Sequence, residues 1–139
     1  MPRMIFPNLP VTDLDKTRAF WTGLGFSFDD RFCDGNAICL VLNDLASAML
    51  LRREFFATFT TREVAEPGGP VGSILAVLQD SREDVDRLVD AALEAGASPV
   101  KDANDLGFMY GRAFTDLDGH QWEFFWMDPA SVPPAEGEA

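Results

Sequence analysis

The sequence predicts an α+β fold built from two copies of one strand–helix–strand–strand–strand unit. Two observations carry this. The segment from Leu9 to Gly25 has the same order of features as Ala76 to Gly96: apolar strand, Asp13 or Asp80, amphipathic helix, glycine. Each copy then continues into short apolar runs separated by turn signals. The duplication is one of pattern and not of identity. With 139 residues, 47% of them hydrophobic and 24% charged, the chain has the length and balance of one globular domain with its own core. A single domain is expected over 1–128, with module one at about 4–52, a linker at 53–71 and module two at about 72–128. The Pro/Glu/Ala-rich tail, 129–139, is expected to fray.

Met4 to Val11 reads as a strand, and Pro7 and Pro10 confine it to an edge or a terminus. Thr12-Asp13-Leu14-Asp15 supplies an N-cap and an acidic first turn. Leu14, Thr17, Phe20, Trp21 and Leu24 follow at helical spacing, and the helix stops at Gly23 to Gly25. Phe26 to Phe32 alternates as a strand, Asp34-Gly35 turns, and strands follow at Ala37 to Leu42 and Ala46 to Arg52. Residues 53–71 break the pattern. Phe55, Phe56 and Phe59 there must pack as a satellite core, cover a pocket or lie at a subunit contact. In module two, Gly72 to Leu78 is a strand and Ser81 with Asp84 opens a helix. Val85, Leu88, Val89, Ala92 and Leu93 form its apolar face, and Gly96 ends it. Strands at Ser98 to Lys101, Phe108 to Thr115 and His120 to Met127 complete the unit, the last two joined by Asp118-Gly119.

Eleven basic against 23 acidic residues give a net charge of -12, which argues against binding to a nucleic-acid backbone. No apolar run approaches the roughly 18 residues of a membrane-spanning helix, so no membrane partner is expected. The first residues carry no signal-peptide pattern. Cys33 and Cys39, six apart, match no zinc spacing and read as reduced thiols of a cytoplasmic protein. There is no GxSxG, no phosphate-binding glycine loop and no HExxH. The acidic runs at Asp13/Asp15 and Glu83/Asp84/Asp86 are solvated helix starts.

Several strings resemble the vicinal oxygen chelate superfamily of glyoxalases, bleomycin-resistance proteins and extradiol dioxygenases. They are Asn8-Leu9-Pro10-Val11-Thr12-Asp13-Leu14, Ala19-Phe20-Trp21 with Leu24-Gly25-Phe26, and Phe114 through Glu123. The closest likeness is to its small glyoxalase-like bacterial members. The resemblance implies two βαβββ modules forming a curved, half-barrel-like mixed sheet around a cavity, with helices outside. It also implies a divalent metal held by one ligand on the first strand and one on a later strand of each module, acting as a Lewis acid. Carried over by position, the first-strand ligand falls on Phe6, its counterpart on Ser73, and the late strand of module one on Ala48-Met49-Leu50-Leu51. Only Glu123 fits, so no metal site and no cofactor are expected. His120, the one histidine, lies on the opposite side of its strand from Glu123 and is expected to bond the turn.

Glu123 is the catalytic candidate: facing a cavity it can act as a general base or pair with a cationic ligand. The alternative is a carboxylate neutralised by Arg52, Arg53 or Arg112. Asn8 shares a face with Phe6, and Gln121 and Phe125 share one with Glu123. In Leu106 to Arg112, Tyr110 and Arg112 either orient a planar or anionic molecule or belong to an ordinary strand whose glycines permit curvature. The ligand-binding candidates are therefore Phe6, Asn8, Arg52, Phe56, Tyr110, Arg112, Gln121 and Phe125. These features favour a metal-independent, homodimeric protein that binds a small molecule, a cationic or aromatic one by its charge and by the habit of drug-binding relatives. The rival is a divalent-metal-dependent glyoxalase-like lyase, isomerase or dioxygenase; a third possibility is a purely structural module.

Overall fold

The computed structural model describes residues 3–134. It divides into two compact units, one running to Pro70 together with Leu117–His120, the other Val71–Asp116 together with the chain from Gln121. The first unit contains β1 (Asn8–Val11), α1 (Leu14–Gly23), β2 (Ser27–Phe28), β3 (Ala37–Asn43), β4 (Ala46–Arg52) and a one-turn α2 (Arg53–Phe56). Its sheet order is β1-β4-β3-β2, with β1 parallel to β4 and the rest antiparallel. The second contains β5 (Ile74–Leu78), α3 (Arg82–Glu94), β6 (Ser98–Pro99), β7 (Asn104–Asp105), β8 (Met109–Thr115) and β9 (Gln121–Met127). Its order is β5-β9-β8-β6, with β7 also on β8 and β5 parallel to β9. The two-copy α+β plan holds, as a pair of open mixed sheets.

Both principal helices form for the expected reasons. Asp13, extended at φ -140, accepts a hydrogen bond from the Lys16 amide at 3.0 Å, and Thr17, Phe20 and Trp21 are buried. Ser81 caps α3 through the Asp84 amide at 3.1 Å, and Val85, Leu88, Val89 and Ala92 are its buried stripe. Each helix is followed by a glycine of positive φ, Gly25 and Gly96, which reverses the chain without a Cβ penalty.

Several boundaries differ from expectation. Pairing of the first strand begins at Asn8, although the Pro7 carbonyl already accepts from the Met49 amide at 2.8 Å. Phe26 to Phe32 is a strand only at Ser27–Phe28, because Asp29 accepts from the Arg31 amide and turns Asp30–Phe32 into a 3-10 helix. The 53–71 segment opens with α2 and a 3-10 turn, Ala57–Phe59, and the Arg53 guanidinium gathers its far end through the Ala65 carbonyl and Glu66. Phe55 and Phe59 meet edge to face at 5.1 Å, yet Phe59 stays 69% exposed, so the pair is no satellite core. The sequence pattern does not predict β7. The Arg82 fork on Asp105 holds it, and that guanidinium keeps the Asp105 carboxyl down at about 2. In the tail, Pro129–Ser131 form a 3-10 turn capped by Asp128, and residues 135–139 lie outside the described residues.

The Asp118-Gly119 turn belongs to the first unit. The Asp118 side chain is 7% exposed; one oxygen accepts from the Thr12 amide at 2.8 Å and from the Thr12 hydroxyl, the other from the Thr17 hydroxyl at 3.5 Å. Gly119 has φ +81, and a Cβ there would stand 3.0 Å from the Gly68 backbone nitrogen, so this turn admits glycine alone. Asp118→Ala is expected to lower the unfolding free energy by about 1–3 kcal/mol, because donors at the start of α1 lose their acceptor. Urea titration followed by tryptophan fluorescence measures this, and an unchanged midpoint would refute it.

Candidate functional site

The position of Glu123 follows from the alternation of β8 and β9. Trp122, Phe124 and Phe114 are fully buried, with Phe114 and Phe124 stacked at 5.7 Å, and the Trp122 indole donates to Asp116 at 2.9 Å. Helix α3 packs on these two strands. Glu123, one residue out of phase, therefore projects from the other face, with Gln121 and Phe125. Register places Ala76 of β5 and Ala113 of β8 beside Glu123, Ile74 beside Gln121, and Leu78 and Gly111 beside Phe125. Small residues surround the carboxylate. One of its oxygens lies 3.3 Å from where a Cβ on Gly111 would be.

The structure thus brings Glu123, Gln121 and Phe125 together. It puts Tyr110 and Arg112 on the helix-facing side of the same sheet, away from Glu123. The Tyr110 hydroxyl donates to Asp86 at 2.6 Å, and Arg112 forms ion pairs with Asp86 at 3.0 Å and Asp90 at 2.9 Å, both on α3. These bonds tie both side chains of the segment to α3. Its Gly107, at φ +82, lies before the strand, where the Arg82 guanidinium takes its carbonyl at 2.9 Å. Arg82 itself sits over the Tyr110 and Trp126 rings at 5.0 and 5.2 Å, a pair of cation–π contacts that sequence spacing did not reveal.

The arginines considered for Glu123 have other partners. Arg52 pairs with Glu54 at 3.1 Å and donates to Asn36, Arg53 is taken by Ala65 and Glu66, and Arg112 by Asp86 and Asp90. In the first unit, Asn8 turns its amide back to the Phe6 carbonyl at 2.7 Å, and Phe6 is half-exposed, outside the ladder. Arg52 borders an open pocket of about 570 Å³ with Asp13, Arg18, Asp34 and Ile38. Phe56 ends α2. The His120 Nε2 lies 2.7 Å from the Pro10 carbonyl, a structural bond to β1. Among the described residues no group of three or more His, Cys, Asp or Glu is placed to hold a metal ion.

That Ala76, Gly111 and Ala113 lie beside Glu123 follows from alternation only once the strand register is known. Residues 4–124 match the model of the Glyoxalase/Bleomycin resistance protein/Dioxygenase superfamily. The chain belongs to this superfamily. No curated protein matches the sequence. Among solved structures, the chain resembles the hypothetical protein SA1046 from S. aureus at 25% identity and TM-score 0.77, over 91% of this chain and 94% of that one. A glyoxalase-related enzyme from Fulvimarina pelagi is 20% identical with TM-score 0.76, over 99% and 96%. The fosfomycin resistance protein FosX from Mesorhizobium loti is 13% identical with TM-score 0.67, over 94% and 96%. The last two likenesses show the superfamily fold alone.

The bond to Asp86 raises the Tyr110 phenol above its usual value, with burial adding to the shift. A raised pKa means that this contribution to stability is complete below the unfolded phenol value of about 10 and is lost as pH rises through the folded one. Tyr110 is the only tyrosine, so ultraviolet titration reads it directly. Its midpoint is expected above about 10 and closer to it in Asp86→Asn; coincident curves for the two proteins would dissolve the assigned pair.

Proposed function

We propose that this superfamily member is a metal-independent binding protein for a small organic cation with an apolar or aromatic body. The observation that carries the proposal is Glu123: a half-buried carboxylate, without a hydrogen-bonded or ion-paired partner among the described residues, on a sheet face flanked by Phe125, Ile74 and Leu78. Such a group gains from a cation that replaces part of its water shell. The net charge of -12 draws cations toward the protein and repels anions.

The superfamily's divalent metal does not fit this donor set. Phe6 offers no donor, Ser73 a weak one, and Ala48 to Leu51 none, so Glu123 would stand alone. The free thiols Cys33 and Cys39 agree with a reducing, cytoplasmic setting. A homodimer is part of the same proposal, supported by exposed apolar side chains at Met4 and Ile5.

Elemental analysis of untagged protein purified without added metal, with thermal melts in Ni, Zn, Mn, Fe and a chelator, tests the metal half. Sub-stoichiometric metal and unchanged melts are expected; one ion per chain with a chelator-sensitive melt would restore the metal-dependent lyase. Fluorescence titration with 9-aminoacridine, cationic at neutral pH, tests the other half. Saturable binding, stronger than that of neutral acridine and weakened about tenfold or more in Glu123→Gln, is expected. Equal binding of both dyes would remove the ion pair from the account.

A further inference from the structure

We propose that Gly111 is the specificity-determining residue of this site, keeping open a notch over Glu123 that admits a compact, hydrogen-bonding cation such as a primary ammonium and excludes a fully alkylated one. The inference rests on Glu123 being the ligand's anchor, as proposed above, and adds the class of head group that reaches it. Glycine inside a strand is unfavourable, by roughly 0.5–1 kcal/mol relative to alanine in element interiors, and it usually marks a special conformation or a close approach. Conformation is not the reason here, because Gly111 is absent from the positive-φ glycines, which are Gly25, Gly68, Gly96, Gly107 and Gly119. Close approach is. A Cβ on Gly111 would lie 3.3 Å from a Glu123 carboxylate oxygen and 3.4 Å from the Phe125 Cβ.

The first distance is shorter than the ordinary contact between a methyl group and an oxygen, so any side chain at 111 must push the carboxylate away. As the strands stand, the Glu123 carboxylate leans along the sheet toward the Gly111 backbone. The small residues beside it are Gly111 and Ala113, both buried, and Ala76, which is exposed. Longer apolar side chains rise at the ends, Ile74 and Leu78 on β5, 52% and 61% exposed, and Phe125 on β9. A charge recessed in this way is reached by a head group that is narrow and donates hydrogen bonds. Three N–H donors of an ammonium can meet the two carboxylate oxygens, whereas a trimethylammonium presents only methyl groups to them. The apolar rim suits the hydrocarbon body behind the head. Gln121, on the same face, adds an amide that can accept from one of the ammonium protons.

The test is isothermal calorimetry with 2-(1-naphthyl)ethylammonium and its N,N,N-trimethyl analogue against wild type, Gly111→Ala, Gly111→Val and Glu123→Gln. Wild type is expected to prefer the primary ammonium by about tenfold or more. Gly111→Ala should erode that preference and Gly111→Val abolish it; Gly111→Ala is expected to melt no lower than wild type, since the nearest atom displaced is the end of a flexible side chain. Melting curves identify a variant that fails to fold, and the comparison of the two ligands on wild type decides the matter even then. Equal affinity for both ligands on wild type, or Glu123-dependent binding that Gly111→Val leaves unchanged, would overturn the notch while leaving the binding site itself intact. If wild type takes up neither naphthyl compound nor 9-aminoacridine, the site and the notch fall together.

Discussion

The burial of Trp122 and Phe124 against α3 is the constraint on which the candidate site depends. Each large apolar side chain removed from water is worth about 1.5–3 kcal/mol, and both are fully buried. A strand has a side-chain period of two, so a slip of one residue would exchange the faces. It would put the Glu123 carboxylate under the helix, where an unpaired charge costs far more than the slip could return. Glu123 is therefore held on the outer face by its neighbours and not by any bond of its own. The parallel pairing of β5 with β9 extends the same logic, since Leu75 and Val77 align with Trp122 and Phe124 while Ala76 aligns with Glu123.

The distribution of cations reinforces this placement. The β8 arginine, Arg112, is committed to Asp86 and Asp90 of α3, and Tyr110 shares the first of these. Arg82, at the start of α3, spans Asp105 and the Gly107 carbonyl while lying over two rings. Positive side chains of the second unit thus stitch its helix to its sheet. The acidic residues that stabilise the N-terminal turn of α3 and those that hold Arg112 lie on one helix, which explains why its polar side is so rich in carboxylates. The opposite sheet face is left with one negative charge and no arginine from β8 or β9.

What the sequence made legible follows from the physics of short range. Helix caps, the glycines after each helix and the alternation of β9 are local signals, and the structure bears them out at Asp13, Ser81, Gly25, Gly96 and Glu123. Which face Tyr110 and Arg112 adopt depends on how β8 is registered against β9 and on Asp86 being one helix away, neither of which spacing along the chain encodes. Phe26 to Phe32 failed as a strand for a local reason that propensity underweights: Asp29 competes for the backbone amide of Arg31 and is held by its guanidinium at 2.7 Å. Arg53 closing back on Ala65 and Glu66 is likewise a contact across twelve and thirteen residues that apolar periodicity does not report.

The two units show how a duplicated plan can keep its fold while its chemistry becomes one-sided. Asn8 and Ala76 each stand five residues before their helix cap, Asp13 and Ser81. Their partners across the parallel pair are Met49 and Glu123. The equivalent place thus holds a thioether in one unit and a carboxylate in the other, and the polar residue of the first unit, Asn8, satisfies itself on the Phe6 carbonyl. Neither change disturbs the buried alternates, Leu9 and Leu50 in one sheet, Trp122 and Phe124 in the other. Strand parity separates the positions that hold the sheet to its core from those free to vary. On the proposed reading, the Glu123 carboxylate has the features of a cation site: one negative charge, an apolar rim and small neighbours.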